Sequence, residues 1–319
     1  MSRRTIQLIR WGVFLLAGTF LYLRLAGGTG GADLASAWAL LGENEGALVI
    51  GGVMLLMLVN WGLESRKWRI LVRQVEALSV GRAFAATIAG TSIGLITPNR
   101  VGEFVGRVLF LAPEHRVAAS FATAVGSIAQ FVTTVVLGLA GLMAMALRSG
   151  GEEAVPYAFG WIGLCGLVAA GTLLLYFNPD LLRAVLARVP VVRRWERHAG
   201  VLERFGPVLL LRVLGLSAAR YAVFTLQFAL LLGLLAGIGP GQSLPVIPAV
   251  FLLSTLIPTV MLTELGVRGS VAVALLAAGP ASDQGVFIAS LVLWVVNLAI
   301  PAVAGSLLLL VAKIRTTAS

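Results

Sequence analysis

The chain contains few of the residues that build metal centres, disulfides or soluble domains. Its 319 residues include one cysteine, Cys165, and two histidines, His115 and His198. An internal disulfide is therefore excluded, and we expect no metal site and no cofactor. Charged residues make up only 12% of the chain, whereas a soluble domain carries about a quarter. The scarcity of charge argues against an ordinary soluble domain.

Apolar residues dominate instead. Hydrophobic residues make up 59% of the chain, and the mean hydropathy is +0.96. These values predict an all-α polytopic membrane protein, with residues 1–319 forming a single membrane domain. The net charge of +10 does not indicate nucleic acid, because most Lys and Arg residues fall in short segments between apolar runs. That distribution encodes membrane orientation, so we expect no nucleic-acid partner.

Six apolar runs are predicted to cross the membrane, at about 11–26, 47–63, 117–147, 156–177, 213–238 and 286–312. The run 11–26 also resembles a signal peptide, but Arg24 and the glycine-rich stretch after it favour a retained span. This assignment places 18 of the 24 Lys and Arg residues on the cytoplasmic side. Both termini are then cytoplasmic.

Two further apolar stretches are too short to cross. Residues 83–96 would form about 21 Å of helix against a hydrocarbon core of about 30 Å, and the return at 101–111 is shorter still. The arginine-rich loop at 183–204 must be cytoplasmic, so the chain has to return to the side from which it entered. We therefore predict a re-entrant hairpin here, and a second one at 248–278, broken near Pro258.

The two halves of the chain follow the same plan with opposite starting sides. Residues 1–147 and 156–315 each contain two spans, a broken hairpin and one more span. This arrangement predicts an inverted-topology repeat, as in secondary transporters, with both hairpin tips meeting near the middle of the bilayer.

The hairpin tips carry charges at matching spacing. Glu103 and Arg107 are four residues apart, as are Glu264 and Arg268, which places opposite charges on one helix face. Each pair is either part of a binding site or a structural pair that neutralises itself. Arg100 and Arg220 have no obvious carboxylate nearby in the sequence, so their excess positive charge suits a phosphate or carboxylate.

Neutral polar residues near the tips are further candidates. Asn99 and Thr263 lie beside the charged pairs and are candidates for substrate binding, with packing between helices as the alternative role. For Gln130, Gln227 and Asn297, as for glycines such as Gly90 and Gly138, packing between helices is the favoured role.

The first hairpin tip resembles a known family. Residues 98–103, PNRVGE, are similar to the Pro-x-Arg-x-Gly-Glu signature of the lysylphosphatidylglycerol synthase transmembrane region. That region is the flippase-like module of the multiple peptide resistance factor and of its stand-alone relatives. The basic segment at 66–69 and the second hairpin extend the resemblance over nearly the whole chain. In the family form of the second tip, a glycine-rich turn precedes a glutamate. Here the order differs, because Glu264 precedes the segment 265–267 and Gly269 follows Arg268.

The resemblance implies a translocase, or flippase-like transporter, of a prokaryotic cytoplasmic membrane that moves an anionic or zwitterionic lipid between leaflets. Membrane lipids are then the partners, and an oligomer is compatible with the pattern. Synthase activity is not expected, since the family's transferase domain would have to follow the membrane region. Two alternatives stay open: a secondary transporter of a small soluble anion, and a membrane-embedded lipid-modifying transferase, with Glu103 as its base, or a partner subunit of one. The residues predicted to bind substrate are Asn99, Arg100, Glu103, Arg107, Arg220, Thr263, Glu264 and Arg268.

Overall fold

The computed structural model describes residues 43–95, 97, 100–149, 155–188, 196–257, 261–276 and 280–311. These residues form helices joined by short turns, and no strand occurs among them. Four helices in this part of the chain are long and apolar enough to cross a membrane: Asn44–Val72, Pro113–Arg148, Pro207–Ala236 and Asp283–Leu310. The prediction of an all-α membrane protein is confirmed.

The first half contains α1 (Asn44–Val72), α2 (Val80–Leu95), α3 (Gly102–Val108), a 3₁₀ turn (Pro113–His115) and α4 (Arg116–Ser149). Then come α5 (Val155–Phe177), α6 (Pro179–Ala187), α7 (Glu196–Ala199) and a second 3₁₀ turn (Gly200–Arg204). The second half contains α8 (Pro207–Ala236), α9 (Pro240–Ser243), α10 (Ile247–Leu256), α11 (Met261–Leu276) and α12 (Pro280–Trp294). A π-helical segment (Val295–Ala299) joins α12 to α13 (Ile300–Val311).

The four long helices correspond to the predicted spans at 47–63, 117–147, 213–238 and 286–312. The predicted span at 156–177 is helical as α5, although its apolar stretch is the shorter Ile162–Phe177. The predicted span at 11–26 lies outside the described residues. The count of six spans therefore stays a prediction.

The helix α1 continues well beyond the predicted end of its span. It extends to Val72, and the side chains of Glu64 and Lys67 are buried. The sequence predicted that the span ends near residue 63 and that Lys67 belongs to the basic loop after it; that end of the helix is wrong. Their burial is possible because they neutralise each other across one helical turn, at 2.7 Å.

The helices α2 and α3 pack antiparallel and almost backbone to backbone. A Cβ atom added at Gly106 would lie 2.6 Å from the Cα of Gly90, and one added at Gly102 would lie 2.4 Å from the carbonyl oxygen of Ile93. Only glycine fits so close an approach. The packing role expected for Gly90 is confirmed, and this pair of helices is called the first hairpin below.

The first hairpin packs against α13. The hydroxyl of Ser92 on α2 donates to the carbonyl of Ala302 on α13 at 2.6 Å. A Cβ added at Gly305 would lie 2.2 Å from the carbonyl oxygen of Ile88. In the same way α10 packs on α4, where a Cβ at Gly138 would lie 2.4 Å from that of Leu252. In both halves, the first helix of the predicted hairpin thus packs on the last long helix of the other half: α2 packs on α13, and α10 packs on α4.

The arginine-rich segment at 183–204 is not a simple loop. Its short helices bury Leu182, Ala199, Val201 and Leu202 together with residues of α1 and α4, including Leu71 and Phe121. Apolar residues spaced at one helical turn give these pieces an inner face, while Arg183 is half-exposed and pairs with Glu203.

Candidate functional site

A cavity of about 660 Å³ lies between the first hairpin and the second half of the chain. Its walls come from α1, α3, α4, α8, α10, α11 and the π-helical segment. Its lining includes a group of charged side chains, called the charged wall below, and a group of aromatic and aliphatic side chains, called the aromatic wall. The charged residues that line it are Glu64, Lys67, Arg100, Glu103, Arg107, Arg220 and Arg268.

Glu64 is the centre of the charged wall. Its Oε2 accepts hydrogen bonds from Nζ of Lys67 at 2.7 Å and from Nη1 of Arg220 at 3.0 Å. Its Oε1 accepts from Nη1 of Arg107 at 2.8 Å. One carboxylate thus meets three cations, from α1, α3 and α8. The free-energy cost of burying these charges is offset by their close pairing.

The tip of the first hairpin extends this network. Arg107 donates through Nη2 to Glu103 at 3.1 Å, so its two terminal nitrogens bridge Glu103 and Glu64. Glu103 also pairs with Arg100, whose side chain is 33% exposed. Among the described residues, Arg100 is the one non-glycine residue with positive φ, at 58°. Such a backbone conformation costs about 1–3 kcal/mol and is retained where a side chain must be held in place.

Thr97 helps to shape this turn. Its hydroxyl oxygen accepts a hydrogen bond from the backbone N–H of Gly102 at 2.7 Å. Gly102 is the first residue of α3, so its N–H has no partner within the helix. The backbone N–H of Arg100 donates to the carbonyl of Thr97 at 3.2 Å. The turn therefore fixes the entry to α3 and the position of Glu103 within it.

Arg220 is held from three sides. Its Nε donates to Oδ1 of Asn60 at 2.8 Å, and its guanidinium lies 5.5 Å from the ring centre of Trp61. Asn60 in turn donates to Oδ1 of Asn297 at 2.9 Å. Asn297 lies in the π-helical segment, a distortion that often occurs at functional sites. These contacts orient Arg220 towards Glu64.

The aromatic wall is built around Phe251. Phe251 of α10 packs against Tyr221, Phe224 and Phe228 of α8, with ring centroids 5.4–6.0 Å apart. The guanidinium of Arg268 lies 5.8 Å from the ring centre of Phe224 and 5.9 Å from that of Phe251. This wall offers apolar surface and one cation held by its rings.

Hydroxyl groups also line the cavity. Ser127 and Thr134 of α4, with Ser254 and Thr255 of α10, line the cavity. Each hydroxyl donates its proton to a carbonyl of its own helix, at 2.7–3.4 Å. Their oxygens therefore face the cavity as acceptors. In the described part of the chain, no cluster of three or more His, Cys, Asp or Glu residues is arranged to hold a metal ion.

The structure brings most of the predicted site residues to one cavity. Arg100, Glu103, Arg107, Arg220 and Arg268 all line it. Asn99 lies outside the described residues. Thr263 and Glu264 belong to α11, but their side chains lie outside the described part.

The expectation that Arg100 has no carboxylate nearby in the sequence was wrong, since it pairs with Glu103, three residues later. Arg220 has no such neighbour, but it pairs with Glu64 from a distant part of the chain. Of the polar residues assigned to packing, Gln227 and Asn297 do bind neighbouring helices. Gln227 donates to the carbonyl of Val53 at 2.9 Å, and Asn297 accepts from Asn60 at 2.9 Å. Gln130 and Asn297 also line the cavity.

Sequence reasoning missed Glu64, Lys67 and Asn60. The available signal was their spacing, because Asn60, Glu64 and Lys67 stand four and three residues apart and so share one helix face. That face was hidden by the assumption that the helix ends at residue 63.

The comparisons with known proteins agree with this architecture at the level of the family. Searches among curated proteins and among solved structures each find no match. Residues 8–305 match the family described as the lysylphosphatidylglycerol synthase TM region. The match covers nearly the whole chain and includes the first hairpin and every described wall of the cavity. The chain therefore belongs to the lysylphosphatidylglycerol synthase TM region family, a family of lipid-related membrane proteins.

Proposed function

We propose that this protein is a lipid translocase that carries an anionic or zwitterionic headgroup between leaflets through the cavity described above. The observation that carries the proposal is that one cavity is lined both by a cluster of charged side chains rich in arginine and by apolar side chains. A phospholipid has the same division, with a charged phosphate beside an apolar body. The planar guanidinium groups of the arginines in the charged wall can each donate two hydrogen bonds to phosphate oxygens.

Exposed aliphatic side chains at the cavity support a lipid over a soluble anion. Leu256 and Ile257 line the cavity and are 42% and 43% exposed. Exposed aliphatic side chains suit contact with lipid chains, whereas a site for a soluble anion would be expected to have mainly polar side chains there.

The packing of the two halves supports an inverted repeat with two re-entrant hairpins. Because each half packs its first hairpin helix on the last long helix of the other half, the cavity lies where both halves meet. In this proposal the lipid headgroup binds there, and the halves move relative to each other to expose it to either leaflet. Arg100 and Arg220 contact the phosphate, while Glu64 and Glu103 hold the arginines in its absence.

The test is lipid flipping in proteoliposomes that contain fluorescent phospholipids, with dithionite added outside to quench the outer leaflet. The purified protein should make most of the inner-leaflet fluorescence accessible, and Arg100→Gln should slow this process about tenfold, since a charge-assisted contact is worth about that factor. The matched control is Arg148→Gln, because Arg148 is an exposed arginine that contacts the backbone of Gly241 away from the cavity.

The outcomes separate the candidate functions. Equal flipping by both variants would contradict the role of the cavity. No flipping of any headgroup class, together with uptake of a radiolabelled soluble anion into the same vesicles, would replace the proposal by a secondary transporter. Localisation to the cytoplasmic membrane with both termini inside belongs to the same proposal, and is tested by protease accessibility of terminal tags.

A further inference from the structure

We propose that the cavity contains a second subsite, formed by hydroxyl groups of α4 and α10, which binds hydrogen-bond donors of the headgroup: hydroxyl or amine groups beyond the phosphate. This inference rests on the proposed function and narrows its substrate class. The subsite is called the hydroxyl face below, and it consists of Ser127, Thr134, Ser254 and Thr255.

The hydroxyl face can only accept hydrogen bonds. Its four hydroxyls donate to backbone carbonyls of their own helices, at 2.7–3.4 Å. A hydroxyl group has one proton and two lone pairs, so each oxygen keeps acceptor capacity and has no proton left to give. In the described part of the chain, no donor reaches any of these four oxygens. Tyr221, which also lines the cavity, likewise donates its proton, to the carbonyl of Pro248 at 3.5 Å.

Gln130 adds a further acceptor to the same face of α4. It lies three residues after Ser127 and four before Thr134, and this spacing places all three on one side of the helix. The side-chain oxygen of Gln130 is buried and has no hydrogen-bond partner among the described residues. A buried acceptor without a donor costs free energy, so a ligand that brings a donor to this side of the helix would remove that cost.

The hydroxyl face begins beside the charged wall. A Cβ atom added at Gly126 would lie 3.7 Å from Cε of Lys67, so Ser127 follows directly after the point where α4 meets that lysine. From Ser127 to Thr134 the helix rises about 10 Å. A headgroup whose phosphate binds the arginines of the charged wall can therefore extend along α4 in contact with the hydroxyl face.

The helix α10 completes the hydroxyl face from the second half of the chain. A Cβ atom added at Gly138 of α4 would lie 2.4 Å from that of Leu252 on α10. Thr134 and Thr255 each lie about one helical turn from this contact, and both line the cavity. Two helices thus bring their acceptors to one place.

This arrangement distinguishes headgroups by their donors. A headgroup that displaces water from the hydroxyl face must supply O–H or N–H groups, or the acceptors lose hydrogen bonds. A site built to form hydrogen bonds rejects a ligand of the same shape that lacks the matching groups. Headgroups that carry a phosphate and donors fit both parts of the cavity, whereas a phosphate joined to an alkyl or trimethylammonium group fits only the charged wall.

The experiment compares pairs of short-chain lipids that differ in donors and have the same charge. Phosphatidylglycerol and phosphatidylpropanol are phosphodiesters with the same three-carbon headgroup, and only the first has free hydroxyls. Phosphatidylethanolamine and phosphatidylcholine are zwitterions, and only the first has N–H groups. Binding to the full-length protein in detergent is measured from the dependence of the thermal midpoint on lipid concentration.

The donor-bearing lipid of at least one pair should bind about tenfold more tightly than its partner, as expected for one or two added hydrogen bonds. Thr134→Val and Thr255→Val remove a hydroxyl and keep the shape of the side chain, so each should lower that ratio about threefold. The matched control is Thr133→Val. Thr133 is the next residue of α4 and donates to the carbonyl of Ala129 at 2.8 Å, but it is buried and is not among the residues that line the cavity.

The outcomes also identify the donor. A preference in the first pair alone assigns a hydroxyl headgroup, and one in the second pair alone assigns an amine headgroup. Equal binding within both pairs would overturn the inference. A ratio that Thr134→Val and Thr255→Val both leave at the wild-type value, or that Thr133→Val lowers equally, would also overturn it.

Two further results separate this inference from the proposed function. Glycerophosphoglycerol and glycerophosphoethanolamine present the same headgroups without acyl chains. If either binds as tightly as its lipid, with the same dependence on Thr134, the hydroxyl face stands and the lipid translocase fails. If proteoliposomes flip fluorescent analogues of both members of each pair equally fast, the translocase stands and the preference for donors is overturned.

Discussion

The two halves of the cavity come from similar sequence patterns but have different chemistry. The first hairpin contributes Glu103 and Arg107 to a dense network of ion pairs. Arg268 also lines the cavity and stands at the same spacing from a glutamate, and it lies over the rings of Phe224 and Phe251. Among the described residues, Arg107 bridges two carboxylates, whereas the contacts of Arg268 include two aromatic rings. The first hairpin supplies charge to the cavity, and α10 with α11 supplies mainly apolar and hydroxyl surface.

The largest expected effect comes from removing the centre of the charged wall. Glu64→Leu would leave the cations Lys67, Arg107 and Arg220 without their common partner. Breaking a buried ion network on one side typically costs about 3–5 kcal/mol. We expect a large fall in the thermal midpoint, measured by intrinsic fluorescence in detergent. Glu45→Leu on the exposed start of α1 is the control. If both variants unfold at the same temperature as the wild type, the charged wall does not stabilise the fold.

A smaller effect is expected from separating the helices of the first hairpin. In Gly106→Ala the new Cβ would meet the backbone of Gly90 at 2.6 Å, so α2 and α3 must move apart. Overpacking of this kind costs about 1–3 kcal/mol. The control is Gly81→Ala, where nothing lies within 4 Å and the added methyl group should stabilise α2 slightly. Unchanged unfolding of Gly106→Ala would contradict the close packing.

Arginine-to-lysine variants compare the two walls directly. Arg107 reaches two carboxylates with two nitrogens, which a single ammonium cannot reproduce. Arg107→Lys should therefore slow flipping about tenfold. A lysine over aromatic rings keeps much of the cation–π attraction, so Arg268→Lys should stay within about threefold of the wild-type rate. Equal losses in the two variants would erase the distinction between the walls. The measurement is the dithionite assay at matched protein-to-lipid ratio.

The smallest effect is expected for an exposed ion pair away from the cavity, which serves as the reference for the variants of both walls. Arg183 and Glu203 form an ion pair outside the hairpins, with side chains 37% and 51% exposed. Exposed pairs contribute about 0–1 kcal/mol, so Arg183→Gln should change neither the thermal midpoint nor the flipping rate measurably. A loss comparable with that of Arg107→Lys would mean that any arginine matters, and that the cavity has no special role.

Much of the fold followed from local features of the sequence. Hydropathy and length predicted four of the long helices, because a bilayer requires about 20 apolar residues per crossing. The PNRVGE segment predicted the break in the first hairpin, because its proline and glycine disfavour a continuous helix. In the structure, Gly102 lies where a Cβ atom would have no room. The pairing of Glu103 with Arg107 follows directly from helical spacing.

The rest of the site depended on contacts between distant segments. Glu64 and Arg220 are 156 residues apart, so nothing local indicated that they pair. Charge itself was misleading at the end of α1, because the basic residues after position 63, including Lys67, indicated a loop, whereas Lys67 is buried with its partner Glu64. Similarly, the sequence did not predict that Phe251 and Phe224 would line the same cavity as the charges. Tertiary packing determines which charges are buried, and the sequence pattern alone does not.

The central claim is that a lipid headgroup occupies the cavity between the charged and the aromatic walls. The most direct measurement is photo-crosslinking with a phospholipid that carries a diazirine on its headgroup, followed by mass spectrometry of the labelled peptides. We predict labels on cavity residues of α8 and α10, near Phe224 and Phe251, and their loss when unlabelled phosphatidic acid is added in excess. Labels confined to the outer surface, for example near the exposed Leu164 and Leu167 of α5, and insensitive to competitor would contradict the claim.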